Sequence, residues 1–235
     1  IGTSSIHSDL FLSTADENYV VPFAREANYS DKILKLLGKT KPDFLHIQND
    51  NEVQIISNLR DDVKEIGVTL FLPTKQTIDN CINKMKSYHI WKSAGLRVPT
   101  SMILNNEEDL KKAFDIIGEK IWIRSVKGAA GFGALPTNDI DFAKKWIDRF
   151  KGWGNFSASE LLSKNTVTWL SIWYHGELVV AQTRKRINWN FSNRTLSGVT
   201  GITGVGQTFS CDKVNSISLD AIKSIDDKPH GIFAV

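Results

Sequence analysis

The chain has 235 residues, 41% of them hydrophobic and 23% charged, a composition that buries a globular core in one or two domains. A formal charge of +3 tolerates phosphate ligands but falls far short of the basic footprint of a dedicated nucleic-acid binder. No stretch approaches the roughly 20 apolar residues that span a bilayer, and the two cysteines, Cys81 and Cys211, form no CxxC pair, which fits a reducing, cytoplasmic setting. No secretory leader is visible, although the first residue is not Met, so a removed leader stays open.

In chain order, residues 1–5 read as a glycine turn and helix start whose preceding strand is missing, and residues 9–12 read as a strand. Too little chain separates them for a full crossover helix, so residues are expected to be missing near Ser8. A helix starts at Ser30 and Asp31, with Ile33, Leu34, Leu36 and Leu37 as its apolar positions. A short apolar run at 43–48, a helix carrying Val53, Ile56 and Leu59, and a strand at 68–72 then predict a parallel βαβ unit.

The second region opens with a long helix through Ile78, Cys81, Ile82, Met85 and His89, ended by Gly95. A strand at 100–104 follows, then a helix capped by Asn106 and stopped by Gly118, a strand at 120–124, and a helix at 142–150. The third region predicts a hairpin of strands 169–174 and 178–182 turned by His175, Gly176 and Glu177, a helix around Ile222 and a strand at 231–235. No internal repeat is present.

The sharpest local feature is Lys127-Gly-Ala-Ala-Gly-Phe-Gly133, directly after a strand. Gly128, Gly131 and Gly133 leave backbone N–H groups able to converge on an anion, with Arg124 and Lys127 adding positive charge. The pattern is neither a Walker motif nor GxGxxG, so taken alone a mobile hairpin tip competes with a phosphate loop. Alternation along 121–124 sets Ile121 and Ile123 on one face and Trp122 and Arg124 on the other. The five histidines show no metal spacing, and no nucleophile–base arrangement stands out. The basic triplet Arg184, Lys185 and Arg186 follows the hairpin, and a second glycine-rich run at 197–206 reads as a flexible loop or an acceptor-site wall.

Taken together these pieces resemble the ATP-grasp superfamily, in particular enzymes like the carbamoyl phosphate synthase large chain and other carboxylate–amine ligases. The resemblance rests on Lys84 eleven residues before Gly95, on Ala94-Gly-Leu-Arg-Val-Pro99, on Ile123-Arg124, on the 127–133 loop, on Glu160-Leu-Leu162 and on His175-Gly-Glu177, all in the family's order. The stretch from Pro42 to Glu52 resembles the segment that precedes the ATP-grasp fold.

The resemblance implies an α/β chain with a Rossmann-like pre-ATP-grasp domain at 1–76, then a two-subdomain ATP-grasp fold at 77–235, with a lid at about 100–162 and an incomplete C-terminal part at 163–235. It implies that Lys84 and Arg124 bind ATP phosphates, that the loop closes over them, and that Glu160, Leu161 and Leu162 form the hinge that reads adenine. Without the resemblance, Lys84 is a surface helix lysine and the two leucines are strand core. It implies MgATP as the cofactor, and small carboxylate and amine substrates, with neither nucleic acid nor membrane as partner and a homodimer as the possible assembly.

Two departures stand out. The acidic residue that holds the ribose about six positions past the hinge is here Thr166. The Asp and the E-x-N motif that hold magnesium in the family fall beyond Val235, so no metal ligand is assigned. Arg184 and Arg186 are the candidates to hold the carboxylate or its acyl-phosphate, because the guanidinium fork suits both anions. The expected activity is an ATP-dependent ligase. Its rivals are a non-catalytic nucleotide-sensing module, a dinucleotide-binding oxidoreductase that lacks the glycine fingerprint, and a nucleic-acid binder resting only on the 184–186 triplet.

Overall fold

The computed structural model describes residues 1–235, which divide into two compact units, Ile1–Ile78 and Asp79–Val235. In the first unit β1 (Gly2–Ser4) pairs in parallel with β2 (Asn18–Val20). After α1 (Tyr29–Thr40), β3 (Phe44–Leu45) pairs in parallel with β4 (Thr69–Leu70), joined through α2 (Asp50–Asn58) and α3 (Arg60–Glu65). This is the predicted βαβ crossover, with its helix broken at Leu59. The two parallel pairs are not hydrogen-bonded into one sheet.

The opening residues differ from expectation. Residues 2–4 are a strand, and the segment 9–12 lies in a 3-10 turn, His7–Leu12, that leaves Phe11 and Leu12 exposed. Four residues, Asp9 to Leu12, are too few to carry a period, so their local sequence does not fix their state. The expected long helix is also broken. It forms α4 (Lys75–Cys81) and α5 (Lys84–Ser93), because the Asn83 carboxamide turns out of the helix to accept the Met85 and Lys86 N–H groups as an N-cap.

The second unit holds two antiparallel four-stranded sheets. The first contains β5 (Ser101–Leu104), β6 (Ile121–Ser125), β7 (Leu135–Thr137) and β8 (Phe156–Glu160) in the order β5-β8-β6-β7. Its helices are α6 (Glu107–Ile117), which starts as predicted with Asn106 accepting from the Asp109 N–H, and α7 (Ile140–Arg149), which starts two residues before expectation at an Asp139 cap. They bury Leu110, Ala113, Ala143 and Ile147 against Ile121, Ile123, Phe156 and Ala158. The alternate residues Trp122, Arg124, Ser157 and Ser159 therefore line the opposite face.

The second sheet contains β9 (Val167–Tyr174), β10 (Glu177–Trp189), β11 (Thr203–Phe209) and β12 (Gly231–Ala234) in the order β11-β10-β9-β12. The β9–β10 turn is two residues, His175 at φ 49° and Gly176 at φ 96°, the positive pair a tight hairpin demands. One face buries Trp169, Trp173 and Phe233 against Ile222 of α8 (Asp212–Ile225). The basic triplet stands inside β10 and not after the hairpin, and residues 203–206 of the supposed loop form the start of β11. Trp91 of α5 donates to the Ala221 carbonyl at 2.8 Å and ties α5 to α8.

Candidate active site

The solvent-facing side of the first sheet and the far end of β10 border a cleft of about 660 Å³ within the second unit. Its walls include Trp122, Arg124 and Pro136 on one side and Glu160, Leu161 and Leu162 at the end of β8. Arg186, Trp189 and residues 195–199 close the other side. A smaller cavity of about 240 Å³ adjoins it, sharing Pro99, Arg124 and Ser159, and reaches Lys84 and Val235. Arg124 is the charged residue common to both.

Arg124 sits where β6 leaves the sheet, opposite Ser157 in register. Its side chain keeps exposed surface, yet it stands in a concave, crowded place, and desolvation pulls the guanidinium below its ordinary pKa. It has no carboxylate partner and no protein hydrogen bond. A cation held like this, partly stripped of water and uncompensated, is chemically suited to receive an anion.

Lys84 opens α5, and its Nζ donates to the Gly128 carbonyl at 2.7 Å and the Val126 carbonyl at 3.4 Å. The helix and the glycine loop are therefore brought together. Within the loop, Gly128, Ala130, Gly131 and Gly133 all take positive φ, between 55° and 98°. Gly131 lies against the second glycine-rich run: an added Cβ would stand 2.6 Å from the Val199 carbonyl oxygen. Gly133 has a packing reason of its own, since a Cβ there would stand 2.4 Å from the Phe156 ring, while its carbonyl accepts from Trp146 Nε1 at 3.0 Å. Lys127 lines a separate cavity of about 190 Å³ together with Asn83 and Asn155.

At the hinge, the Thr100 hydroxyl donates to the Glu160 carboxylate at 2.6 Å, and the Glu160 N–H donates to the Thr100 carbonyl at 3.1 Å. The hydroxyl bond is the main reason the Glu160 pKa lies below the ordinary carboxylate value. Leu161 and Leu162 are 37% and 61% exposed, so the reading of them as strand core fails.

Arg186 is held on two sides. Its Nε donates to the Thr203 hydroxyl at 3.0 Å, and its guanidinium lies 4.0 Å from the Trp189 ring centroid. Desolvation first, then the neighbouring Arg184, lower its pKa. The structure also adds residues that sequence reasoning left out of the site: Trp122, Pro136, Lys120, Lys164 and Trp189 line the cleft, as does Thr166 of the ribose register. For Trp122 the signal was present, because alternation put it beside Arg124. Trp189, Thr195 and Leu196 gave none, since only the 13-residue length of β10 and the turn into β11 carry them back to the hinge, whereas Ser197, Gly198 and Val199 belong to the glycine-rich run already read as a loop or an acceptor-site wall. No three His, Cys, Asp or Glu side chains converge to hold a metal ion, and no magnesium ligand is assigned.

No family profile matches the sequence, and no curated protein matches it. Solved structures do share the fold. Biotin carboxylase from Campylobacter jejuni, a β,γ-ATP complex, superposes with a TM-score of 0.72 and 14% identity over 99% of this chain and 55% of that one. Carboxyaminoimidazole ribonucleotide synthase from Aspergillus clavatus, solved with ATP, gives 0.70 and 14% over 100% of this chain and 58% of that one. The L-amino acid ligase from Bacillus licheniformis gives 0.66 and 10% over 93% and 51%. The chain thus spans little more than half the length of these proteins. They are ATP-grasp carboxylate–amine ligases, and the fold of this chain is theirs.

Proposed function

We infer that, on this ATP-grasp fold, the chain binds MgATP and belongs to an ATP-dependent ligase that activates a carboxylate and joins it to an amine. The observation that carries the reading is Arg124, desolvated and without a carboxylate, standing between the hinge cleft and the cavity of Lys84. The hinge backbone at Glu160–Leu162 would read the adenine edge, with Trp122 and Pro136 as apolar walls. Lys84 and Arg124 would hold the phosphates, and the loop at 127–133 would close over them and shut out water.

A substrate carboxylate oxygen then attacks the γ-phosphorus, the bond to ADP breaks, and an acyl-phosphate forms. The amine nitrogen attacks the acyl carbon, loses a proton, and phosphate leaves. Arg184 and Arg186 would hold the carboxylate and neutralise the charge on its acyl-phosphate. Magnesium, carried in with the nucleotide, would neutralise and align the triphosphate. A solved neighbour, the biotin carboxylase domain of the Hydrogenobacter thermophilus 2-oxoglutarate carboxylase, holds MgADP and bicarbonate. The α/β character of residues 1–76, with its parallel βαβ crossover, agrees with a Rossmann-like domain before the ATP-grasp part.

The test is a matrix of carboxylates and amines scored by coupled ADP release, using the full-length protein. At least one pair should raise ADP release well above the ATPase background, with product and phosphate formed in equal amounts. ATP binding without stimulation by any pair would favour the nucleotide-sensing reading, and nicotinamide-dependent turnover would favour the oxidoreductase.

A further inference from the structure

Two side-chain atoms are shut away from solvent with no hydrogen-bond partner: Thr166 Oγ1 and Arg184 Nε. They lie on one patch. Arg184 is opposite Thr168 in the β9–β10 register, and the Arg186 N–H continues the ladder by donating to the Thr166 carbonyl at 3.1 Å. Residues directly opposite on an antiparallel ladder share a face, and so do residues two apart along a strand. Thr166, Arg184 and Arg186 therefore point to the same side, away from the core that buries Thr183.

The patch is built around the arginines. A Cβ on Gly206 would stand 2.8 Å from Arg184 Cδ, so the bare backbone there gives the arginine stem its room. Arg186 is fixed by Thr203 and Trp189, which leaves its Nη groups for a ligand. Neither arginine has a carboxylate partner, and each is close enough for Arg184 to depress the Arg186 pKa. Lys164 and Lys120 add charge along the same cleft, while its carboxylate, Glu160, already accepts from Thr100. Two adjacent, partly buried positive charges with orphaned donors carry a desolvation cost that an anion of matching charge offsets.

We propose that Thr166, Arg184 and Arg186 form a dianion subsite, so that the carboxylate substrate carries a second acidic group, either a phosphate or a second carboxylate. Before the acyl-phosphate forms, a single carboxylate would leave one positive charge uncompensated and one donor unfilled. The chemistry shared by the two sources is a pair of negative oxygens met by two guanidinium forks and a hydroxyl. This rests on the ligase reading for what the anion is used for, but not for its existence.

The experiment is calorimetric binding of sulfate, succinate and acetate to the intact protein in the presence of saturating ADP, repeated on Arg184→Gln and Thr166→Val. Sulfate or succinate should bind at least tenfold tighter than acetate. Arg184→Gln should abolish that preference, and Thr166→Val should weaken the preferred dianion about tenfold, the scale of one hydrogen bond to a charged group. Sulfate preferred over succinate assigns a phosphate group to the substrate, and the reverse assigns a second carboxylate. Acetate binding as tightly as the dianions would overturn the proposal, as would affinities unmoved in both variants or sulfate that competes with ADP. ADP binding without any dianion binding would sink the subsite and leave the ATP reading standing. Dianion binding without ADP binding would do the opposite.

Discussion

Replacing Arg124 by Ala separates a binding role from a structural one, because the two predict opposite changes in stability. The side chain makes no hydrogen bond and no ion pair with the protein, and it bears a desolvation cost visible in its lowered pKa. Removing it therefore deletes no folding interaction beyond some packing of its stem, and relieves a partly buried charge. The urea midpoint should stay within the equivalent of about 0.5 kcal/mol of wild type, or rise. Nucleotide affinity should move the other way. A charge-assisted bond from a guanidinium to phosphate contributes about 1.5–3 kcal/mol, which is roughly a 10- to 150-fold rise in Kd for ATP. Arg124→Lys should fall between, since it keeps the charge and loses the fork. The assay is titration calorimetry with ATP beside equilibrium unfolding of the same preparations. A variant that loses more than about 1 kcal/mol of stability yet binds ATP as before would refute the reasoning, because Arg124 would then be part of the scaffold.

Two further outcomes follow from the geometry. Gly133→Ala places a Cβ 2.4 Å from the Phe156 ring at a φ of 66°, so strain and overpacking should together cost about 2–5 kcal/mol in urea unfolding; a loss below about 1 kcal/mol would show that the loop shifts freely. Cys81 keeps exposed surface, but desolvation of its sulfur first, and Asp226 second, push the thiol up to about 11. At pH 8 it should alkylate about tenfold more slowly than an unhindered thiol, its scarce thiolate partly offset by greater nucleophilicity, and it should gain speed up to about pH 11. A rate that levels off near pH 8.5 would contradict the shift.

Much of the chain is readable without coordinates. The cap at Asn106 and the stop at Gly118 are local events, decided by a residue and its near neighbours in the chain, and they stand where the sequence sets them. The alternation of Ile121 and Ile123 against Trp122 and Arg124 is likewise a property of the strand itself, and both isoleucines are fully buried. The His175–Gly176 turn follows from positive φ at two positions. The errors fall where local preference is weak and a distant partner decides. The 2–4 and 9–12 segments are too short to carry a period, and the break at Asn83 needed one residue to prefer capping over continuing a helix. Residues 203–206 became strand because β10 runs on long enough to offer them a ladder.

The site divides the same way. The sequence by itself determined the helical Lys84, the strand-ending Arg124 and the three glycines between 127 and 133, because each belongs to a single element or turn. Only the tertiary structure decided that Lys84 reaches the Gly128 carbonyl and that Gly133 packs under Phe156. It alone set Thr166, Arg184 and Arg186 on one face, through the register of two strands whose pairing no single segment encodes. Local chemistry chooses which residues are able to bind an anion; sheet pairing, a sum over contacts far apart in the chain, chooses which of them meet.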